Sequence, residues 1–387
     1  MEDVSPLSFE LAQWYNANHR QMPWRRTKDA YTIWLSEIIL QQTQVIQGTP
    51  YFDKFIKEFP ILKNLAESSE DKVLKLWQGL GYYSRARNLL QTAKYIQLEL
   101  NGIFPKNYNE LLKLKGVGEY TAAAIASFAY DELVAVVDGN VMRVISRLFK
   151  INELVDTSKG VKIIKELAHQ ILDKNNPATH NQAMMELGSL VCRPQNPDCL
   201  NCPLESFCLS RSDNTMLLFP VKSKKTTAKK LYFNFVVTLL GQSKTLITKR
   251  ILNNIWKNMY TFPLYEMEGE TKEIDFFQVL KDDFGDFKLI NILCLKHVLS
   301  HRIIEATFYL IDQTENQQNE RPYYVSESIS SDNFDQSIPL DVKNKYKVTS
   351  KKNNTFEVEI KSLTEFYSLP RLITKYMESK EVKNYFL

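Results

Sequence analysis

The chain has 387 residues, 44% of them apolar, and its 49 basic and 45 acidic side chains give a net charge of +4. This length excludes a small scaffold that depends on disulfides, and the weak positive charge permits a polyanionic partner without requiring one. The amino terminus lacks a secretory signal and no apolar run reaches membrane-spanning length, so we expect a cytoplasmic, intracellular protein.

The first half of the chain predicts an all-α domain. From about residue 8 to 191, apolar residues recur at helical spacing between breaks of Gly, Pro and Asn. The predicted helices include AYTIWLSEIILQQTQVI, EDKVLKLWQGL, SRARNLLQTAKYIQLEL, NYNELLKL, EYTAAAIASFAY, NVMRVISRLF and KGVKIIKELAHQILD.

The first of these helices places a carboxyl on its apolar face. Glu37 follows Trp34 by three residues and shares the stripe that runs through Ile38 and Val45. Burial disfavours the charged form of a carboxyl, so we expect Glu37 to hold a proton near neutral pH. The alternative is a structural Glu that a neighbouring Arg or a backbone donor satisfies.

The segment NYNELLKL-KGVG-EYTAAAIASFAY predicts two helices joined by a four-residue turn. Gly116 and Gly118 flank Val117, which allows a tight bend and presents amide N–H groups at a helix N-terminus, a favourable place for a phosphate oxygen. Such a contact would not depend on nucleic-acid sequence. The glycines alone fit an ordinary helical corner equally well.

The run LVAVVDGNVMRVISRLF changes from apolar to helical character at Asp138. A carboxylate there is stabilised as an anion by the helix N-terminus, although a simple N-cap explains the residue as well. One carboxyl held neutral and one held ionised form a pair that breaks glycosidic bonds through an oxocarbenium-like transition state. Glu37 and Asp138 are our candidates, provided that one fold brings them together.

Four of the five cysteines form the pattern C-x6-C-x2-C-x5-C, at Cys192, Cys199, Cys202 and Cys208. In a reducing compartment such thiols are metal ligands rather than disulfides. Four thiolates suit a structural zinc ion or a [4Fe–4S] cluster; the spacing does not separate the two, and the general frequency of such sites favours zinc. Cys294 stands alone in the apolar run ILCL, and we expect it to be buried.

Residues 211–228 are polar and basic and predict a linker between a helical domain of residues 1–210 and a second domain of residues 229–387. β-branched and aromatic runs then predict strands at LYFNFVVTLL, KTLITKR, ATFYLIDQ, RPYYVS and NTFEVEI. Helices are predicted at EIDFFQVLKDDF and LPRLITKYMES. The second domain is therefore predicted to be α+β.

Three strings in one order resemble the helix-hairpin-helix DNA glycosylases of the iron–sulfur branch: LKGVGEYTAAAIASFAY, VVDGNVMRV and the cysteine pattern. The resemblance implies a hairpin over residues 107–130 and a [4Fe–4S] cluster rather than zinc. MPWRRT, WLSEIILQQTQV and GLGYYSRARNL further resemble the adenine-specific mismatch glycosylases, the MutY family. Strand-cleaving members carry a Lys where Tyr120 stands, so the resemblance implies base excision without strand cleavage.

The resemblance also implies a substrate and a set of site residues. It implies a monomeric, monofunctional enzyme of base excision repair that flips and removes adenine lying opposite 8-oxoguanine or guanine in duplex DNA. Glu37 resembles the acid that protonates adenine at N7, and Asp138 resembles the carboxylate that stabilises the sugar cation. The other matching positions are Tyr120 and Asn140 beside this chemistry, Arg25 near the flipped adenine, Gln42 and Tyr82 as wedges in the duplex, and Gly116, Val117 and Gly118 at a phosphate.

The region from residue 229 resembles the Nudix-like domain with which this family reads the opposite base. Its stretch QVLKDDFG departs from a hydrolytic metal-binding box, which implies no pyrophosphatase activity: Gln278 and Val279 replace Arg-Glu, and Asp282 and Asp283 replace the later acids. The segment KHVLSHR resembles the recognition loop at Leu299, Ser300 and His301, with Leu299 in place of a frequent Phe. Without the resemblance, His297 and His301 would be surface residues at a strand end.

Two other functions are weighed against this interpretation. An endonuclease III-like glycosylase and lyase for oxidised pyrimidines is opposed by Tyr120 and by the second domain. A protein that binds DNA damage without catalysis would need neither Glu37 nor Asp138.

Overall fold

The computed structural model describes residues 6–223, 228–241, 243–252, 254–267, 269, 273–299, 301–313, 346–348 and 354–386. Among the described residues, none of the helices combines the length and the apolar character that a membrane-spanning helix needs. The chain divides into two compact units: Met1–Ser68 with Ser84–Lys225, and Ser69–Tyr83 with Thr226–Leu387. Residues 69–83 therefore join the second unit although they lie in the helical half of the sequence. The predicted linker of residues 211–228 stays a prediction.

The first unit is helical, as predicted. Its helices are α1 (Pro6–Asn18), α2 (Ala30–Leu40), α3 (Val45–Glu58), α4 (Leu62–Ala66), α6 (Ser84–Glu99), α7 (Tyr108–Leu111), α8 (Glu119–Tyr130), α9 (Gly139–Leu148), α10 (Ser158–Gln170), α11 (Pro177–Leu190) and α12 (Leu209–Ser212), while α5 (Glu70–Trp77) belongs to the second unit. One core cluster joins α1, α9, α10 and α11 through Leu11, Ile145, Ile164 and Leu187. Each such fully buried aliphatic side chain contributes about 1.5–3 kcal/mol to stability.

The prediction of one helix over AYTIWLSEIILQQTQVI is wrong, because α2 ends at Leu40 and α3 begins at Val45. Arg85 Nη1 of α6 donates to the carbonyl oxygens of Ile38 (2.9 Å), Ile39 (3.0 Å) and Gln41 (2.6 Å). These carbonyls at the end of α2 therefore have a side-chain donor, and the helix can stop there.

The predicted helical hairpin is formed by α7 and α8. Gly116 has a left-handed backbone (φ +78), and a Cβ there would lie 2.7 Å from Asn88 Cβ. Gly118 is the extended N-cap of α8, with open space around it, and Val117 is buried. The bend thus requires glycine at position 116 and not at position 118.

The second unit is α+β, as predicted. Its strands are β1 (Lys229–Leu239), β2 (Lys244–Lys249), β3 (Tyr260–Thr261), β4 (Leu264–Met267), β5 (Lys288–Leu299), β6 (Arg302–Asp312), β7 (Tyr346–Val348) and β8 (Thr355–Glu359), and its later helices are α13 (Glu273–Phe284), α14 (Leu363–Phe366) and α15 (Arg371–Met377). A mixed sheet has the order β5-β6-β1-β4-β7 with β1 and β6 parallel, and a second sheet has the order β3-β2-β8. The predicted strand RPYYVS lies outside the described residues.

A core cluster joins α13 to the mixed sheet, where Phe276 and Leu280 pack with Tyr265 and Tyr309. The prediction that Cys294 is buried is wrong, because its side chain is exposed. It lies in β5, the edge strand of the sheet, whose residues 293–298 alternate between partly buried and exposed side chains. An apolar run on an edge strand does not imply burial on both faces.

Candidate active site

The predicted catalytic residues line one cavity of about 180 Å³ in the first unit. Its walls include Glu37 from α2, Tyr120 from α8, Asp138 and Asn140 at the start of α9, and Arg25 from a single turn after α1. Apolar side chains complete the walls, among them Met22, Trp24, Ile33, Phe128 and Met185. The fold therefore brings together, in one pocket with both polar and apolar walls, polar groups that are widely separated in sequence.

Glu37 is buried, with 6% of its surface exposed, and accepts a hydrogen bond of 2.6 Å from Tyr120 Oη at Oε2. Burial is the main cause that raises the pKa of Glu37 to about 7; the Tyr120 hydrogen bond lowers it, the charge of Asp138 raises it and Arg25 lowers it. A large share of Glu37 is therefore protonated at neutral pH. Burial also raises the pKa of Tyr120 well above its usual value, so its hydroxyl stays protonated.

Asp138 is the N-cap of α9. Its Oδ1 accepts from the backbone N–H of Asn140 (2.8 Å) and of Val141 (2.7 Å), and its Oδ2 accepts from Asn140 Nδ2 (2.7 Å). The expectation that its surroundings simply favour the anion needs correction, because burial raises the pKa of Asp138 against these bonds. With three donors against one, Asp138 is still the better stabilised anion of the two carboxyls.

Arg143 of α9 extends this network, and sequence analysis did not single it out. Its Nη2 donates to Asn140 Oδ1 (2.9 Å) and to the Gly188 carbonyl (2.6 Å), and its Nε donates to the Cys192 carbonyl (2.8 Å). A Cβ at Gly188 would lie 2.7 Å from Asn140 Cβ, so the close approach of α11 to α9 requires glycine. A continuous hydrogen-bond path thus joins Asp138 to the backbone of the first cysteine in the cluster pattern.

Glu186 of α11 is the second residue that sequence analysis missed. It is 1% exposed and forms ion pairs with Arg20 (2.7 Å) and Arg25 (2.8 Å) at the cavity wall. Burial alone would raise its pKa, but the hydrogen bonds from both arginines prevail and lower the pKa to about 2. Glu186 therefore stays ionised and holds Arg25 in place. Because its partners lie more than 160 positions away, no local pattern reveals the contact.

The four predicted metal ligands, Cys192, Cys199, Cys202 and Cys208, line a separate cavity of about 30 Å³ in the first unit. Burial and the neighbouring cysteines raise the pKa of Cys202 to about 12, although the Leu204 N–H opposes them. Arg147 Nη1 lies 3.4 Å from Cys192 Sγ and donates to the Arg193 carbonyl (2.7 Å). Across the ranges described above, no group of three or more His, Cys, Asp or Glu side chains stands ready to hold a metal ion.

The other predicted positions lie outside these cavities. Gln42 is exposed between α2 and α3 in the first unit, while Tyr82, 44% exposed, lies after α5 in the second. In the second unit, Leu299 ends β5 and pairs with Arg302 across a tight turn that contains the exposed His301. Ser300 lies outside the described residues.

In α13, three of the four positions that replace the hydrolytic box have polar partners. Gln278 Nε2 donates to Asp282 Oδ1 (3.1 Å), and Tyr265 Oη donates to Asp283. Asp282 and Asp283 are thus already engaged by neighbouring side chains of the second unit.

Residues 35–170 match the family model of the HhH-GPD superfamily base excision DNA repair proteins. The adenine DNA glycosylase of Buchnera aphidicola subsp. Baizongia pistaciae is 38% identical over 298 residues, which cover 75% of this chain and 82% of that one. The chain belongs to the adenine DNA glycosylase family. The predicted family and enzyme class are therefore confirmed, and the chain is a DNA glycosylase of base excision repair.

A second member of this family and one solved structure are also similar to this chain. The adenine DNA glycosylase of Rattus norvegicus is 43% identical over 215 residues, 53% of this chain and 42% of its own length. The structure of a thermostable thymine-DNA glycosylase is 27% identical, with a TM-score of 0.50 over 53% of this chain and 95% of that chain. The helix-hairpin-helix glycosylase fold of the first half is thus confirmed.

Proposed function

We propose that this DNA glycosylase removes adenine that lies opposite 8-oxoguanine or guanine, by hydrolysis of the N-glycosidic bond after the nucleotide has rotated out of the duplex. One observation carries the proposal: a carboxyl with a pKa near 7, Glu37, shares one cavity with the N-capping carboxyl of Asp138. The relatives of this chain are adenine DNA glycosylases, which supports adenine as the leaving base.

In this mechanism Glu37 acts as the general acid. Tyr120 donates to Oε2, so Oε1 is the oxygen that hands its proton to adenine N7. The bond from C1′ to the base then breaks, and the electron pair leaves with a neutral adenine. Asp138 stabilises the sugar cation, and water adds to C1′ while the Glu37 carboxylate accepts its proton.

We propose further that the enzyme does not cut the strand. A lyase needs an amine that forms a Schiff base with the sugar, and a phenol such as Tyr120 supplies none. Oxidised-pyrimidine lyase activity is therefore disfavoured.

We expect that a labelled duplex with one adenine opposite 8-oxoguanine will break at the adenine only after hot alkali. The reaction is run with enzyme in excess over DNA, and each sample is divided before electrophoresis, with an adenine–thymine duplex as control. Breakage without alkali would identify a lyase. Tight binding without breakage would instead support a protein that recognises damage and does not process it.

Several exposed positions would contact the duplex. Gln42 (φ 54) and Tyr82 (φ 48) have left-handed backbones, a conformation that costs about 1–3 kcal/mol and is concentrated at functional sites. This strain supports their role as wedges where the adenine has left. Amide groups of Gly116 and Gly118 would bind a phosphate at the start of α8, whereas the Val117 N–H already donates to the Leu114 carbonyl oxygen (3.1 Å).

For the second unit we propose a Nudix-like domain that reads the opposite base through Leu299, Ser300 and His301. Leu299 at the end of β5 and the exposed His301 before β6 lie at the same end of this strand pair, which supports this role. The partners of Asp282 and Asp283 in α13 support the absence of pyrophosphatase activity.

Cys192, Cys199, Cys202 and Cys208 are proposed to hold a [4Fe–4S] cluster. The donor type supports this, because four thiols line one cavity and Arg147 lies beside Cys192 Sγ, where it would balance thiolate charge, although the four are not arranged around a metal position among the described residues. A bound cluster would supply structural cross-linking of this loop to α11. Arg143 would then connect this loop to the active site, because it donates both to the Cys192 carbonyl and to Asn140, which in turn donates to Asp138.

Cys202→Ser is expected to lose the cluster, because a hydroxyl is a poor ligand for iron compared with a thiolate. Iron and acid-labile sulfide should fall from about four of each per chain to near zero. The matched control is Cys294→Ser on the edge strand, which should keep both. Purified wild-type protein that contains zinc and no sulfide would overturn the assignment.

Glu186→Gln is expected to move the fall of activity at high pH towards lower pH. Without the carboxylate, Arg20 and Arg25 lose their shared partner, and the uncompensated positive charge of Arg25 lowers the pKa of Glu37 further. Stability should fall by roughly 1–3 kcal/mol, less than for a fully buried pair because Arg20 is partly exposed. Excision rates across pH and melting temperatures test this, with the exposed Glu166→Gln as control. An unchanged pH midpoint would exclude this role of Glu186.

A further inference from the structure

Helix α5 and the loop that follows it form part of the C-terminal unit. The helix begins after Ser69, whose Oγ accepts from the Lys72 N–H (3.3 Å). Val73, Leu74 and Trp77 are fully buried, so one face of α5 is packed. Its acidic first turn and Lys75 make polar contacts with the strands and loops of the same unit.

The first turn of α5 is hydrogen-bonded to residues of β2, of β3 and of the loop between them. Lys249 Nζ, at the end of β2, lies 3.0 Å from both carboxylate oxygens of Asp71. Asn258 Nδ2 donates to Glu70 Oε1 (2.6 Å), and Tyr260 Oη lies 3.4 Å from Asp71 Oδ2. Two acidic side chains of the helix therefore have separate, specific partners in the C-terminal unit.

The last turn of α5 is held by a second set of contacts. Lys75 Nζ donates to the carbonyl oxygens of Tyr367 (3.0 Å) and Thr364. The ring of Tyr367 packs against Tyr260, with centroids 5.0 Å apart, and against Phe356 at 6.1 Å. Tyr260 therefore contacts both groups: its hydroxyl lies near Asp71, and its ring packs on Tyr367, whose carbonyl accepts from Lys75.

The far end of α5 carries Tyr82 on a tightly fixed loop. Trp77 Nε1 donates to the Gly81 carbonyl (3.0 Å), and the Gly79 N–H donates to Tyr83 Oη (3.3 Å). Gly79, Gly81 and Tyr82 all have left-handed backbones, with φ of 102, 72 and 48. The orientation of α5 therefore sets the position from which Tyr82 projects.

We propose that the C-terminal unit positions Tyr82 for base extrusion, with Lys249 and Asn258 as positioning residues that act through α5. The inference rests on the proposed wedge role of Tyr82. Because the segment of Leu299 and His301 belongs to the same unit, reading of the opposite base and insertion of the wedge are properties of one domain. An ion pair as exposed as Lys249 (34%) and Asp71 (47%) contributes at most about 1 kcal/mol to stability, so its main effect is on orientation.

The test measures extrusion separately from bond cleavage. The probe is 2-aminopurine in place of the target adenine opposite 8-oxoguanine, because its fluorescence rises when it leaves the base stack. Lys249→Met should slow this rise by about 10- to 100-fold, the effect of misplacing a positioned group, with little change in melting temperature. Lys249→Arg keeps the pairing with Asp71 and should restore the rate. Lys244 lies on β2 like Lys249 and forms an exposed ion pair with Glu357 of β8, so Lys244→Met should not slow the rise.

A double-mutant cycle with Tyr82→Ala shows whether Lys249 acts through the wedge. We expect Lys249→Met to have no further effect once Tyr82 is Ala. Additive effects, or a Lys249→Met rate equal to that of Lys244→Met, would overturn the inference while leaving the wedge intact. If Tyr82→Ala alone leaves extrusion unchanged, the proposed wedge role fails and the inference fails with it.

Discussion

Asp138→Asn is expected to lower the single-turnover rate of adenine excision by about 10³-fold while leaving DNA affinity unchanged. Asn is as good an N-cap as Asp, so its amide oxygen can still accept from the N–H groups of Asn140 and Val141. The fold at the start of α9 should therefore survive. What is lost is the negative charge that faces the sugar cation in the transition state.

The matched control is Asp29→Asn. Asp29 caps α2, the helix that carries Glu37, by accepting from the Thr32 N–H, and it does not line the cavity. Rates are measured with enzyme in excess, and affinity is measured by titration of the same duplex. If both variants excise adenine at the wild-type rate, Asp138 has no part in the chemistry.

Glu37→Gln is expected to slow excision by about 10²- to 10⁴-fold, because an amide has no acidic proton to give to adenine. In the wild-type enzyme, the active form of Glu37 is the protonated one and its pKa is about 7. Activity should therefore be retained below that pH and fall as the pH rises through it. The residual activity of Glu37→Gln should lack this fall.

Burial rather than the neighbouring charge is the main origin of that pKa, so the fall should depend little on salt. Rates between about pH 5 and 9 test both statements. Glu99→Gln, an exposed substitution at the end of α6, is the control and should match wild type. A Glu37→Gln enzyme that keeps the wild-type fall would assign the titration to another group.

Local pattern was sufficient for most of the elements. Helical periodicity located α8 and α9, and runs of β-branched and aromatic residues located β1 and β2, because these patterns reflect contacts of near neighbours. It failed where a distant group intervened. The end of α2 depends on Arg85, more than 40 residues away, and the exposure of Cys294 depends on the position of its strand at the sheet edge.

The same division holds for the site. The motif strings carried the family and selected Glu37, Tyr120 and Asp138, because short strings preserve residue type and spacing. They could not reveal the partners of Glu186 or Arg143, which are set by the packing of α11 against other elements.

The sequence by itself determined the family, the class of reaction and the identity of the candidate acid and stabiliser. Only the tertiary structure decided their protonation, because desolvation depends on everything packed around a carboxyl and not on its neighbours in the chain. Burial in the folded protein raises the pKa of Glu37 to about 7. Burial also raises the pKa of Asp138, a shift that the N-cap position of Asp138 alone did not predict. The tertiary structure also placed residues 69–83 with the C-terminal unit, since long-range contacts and not chain order define a compact unit.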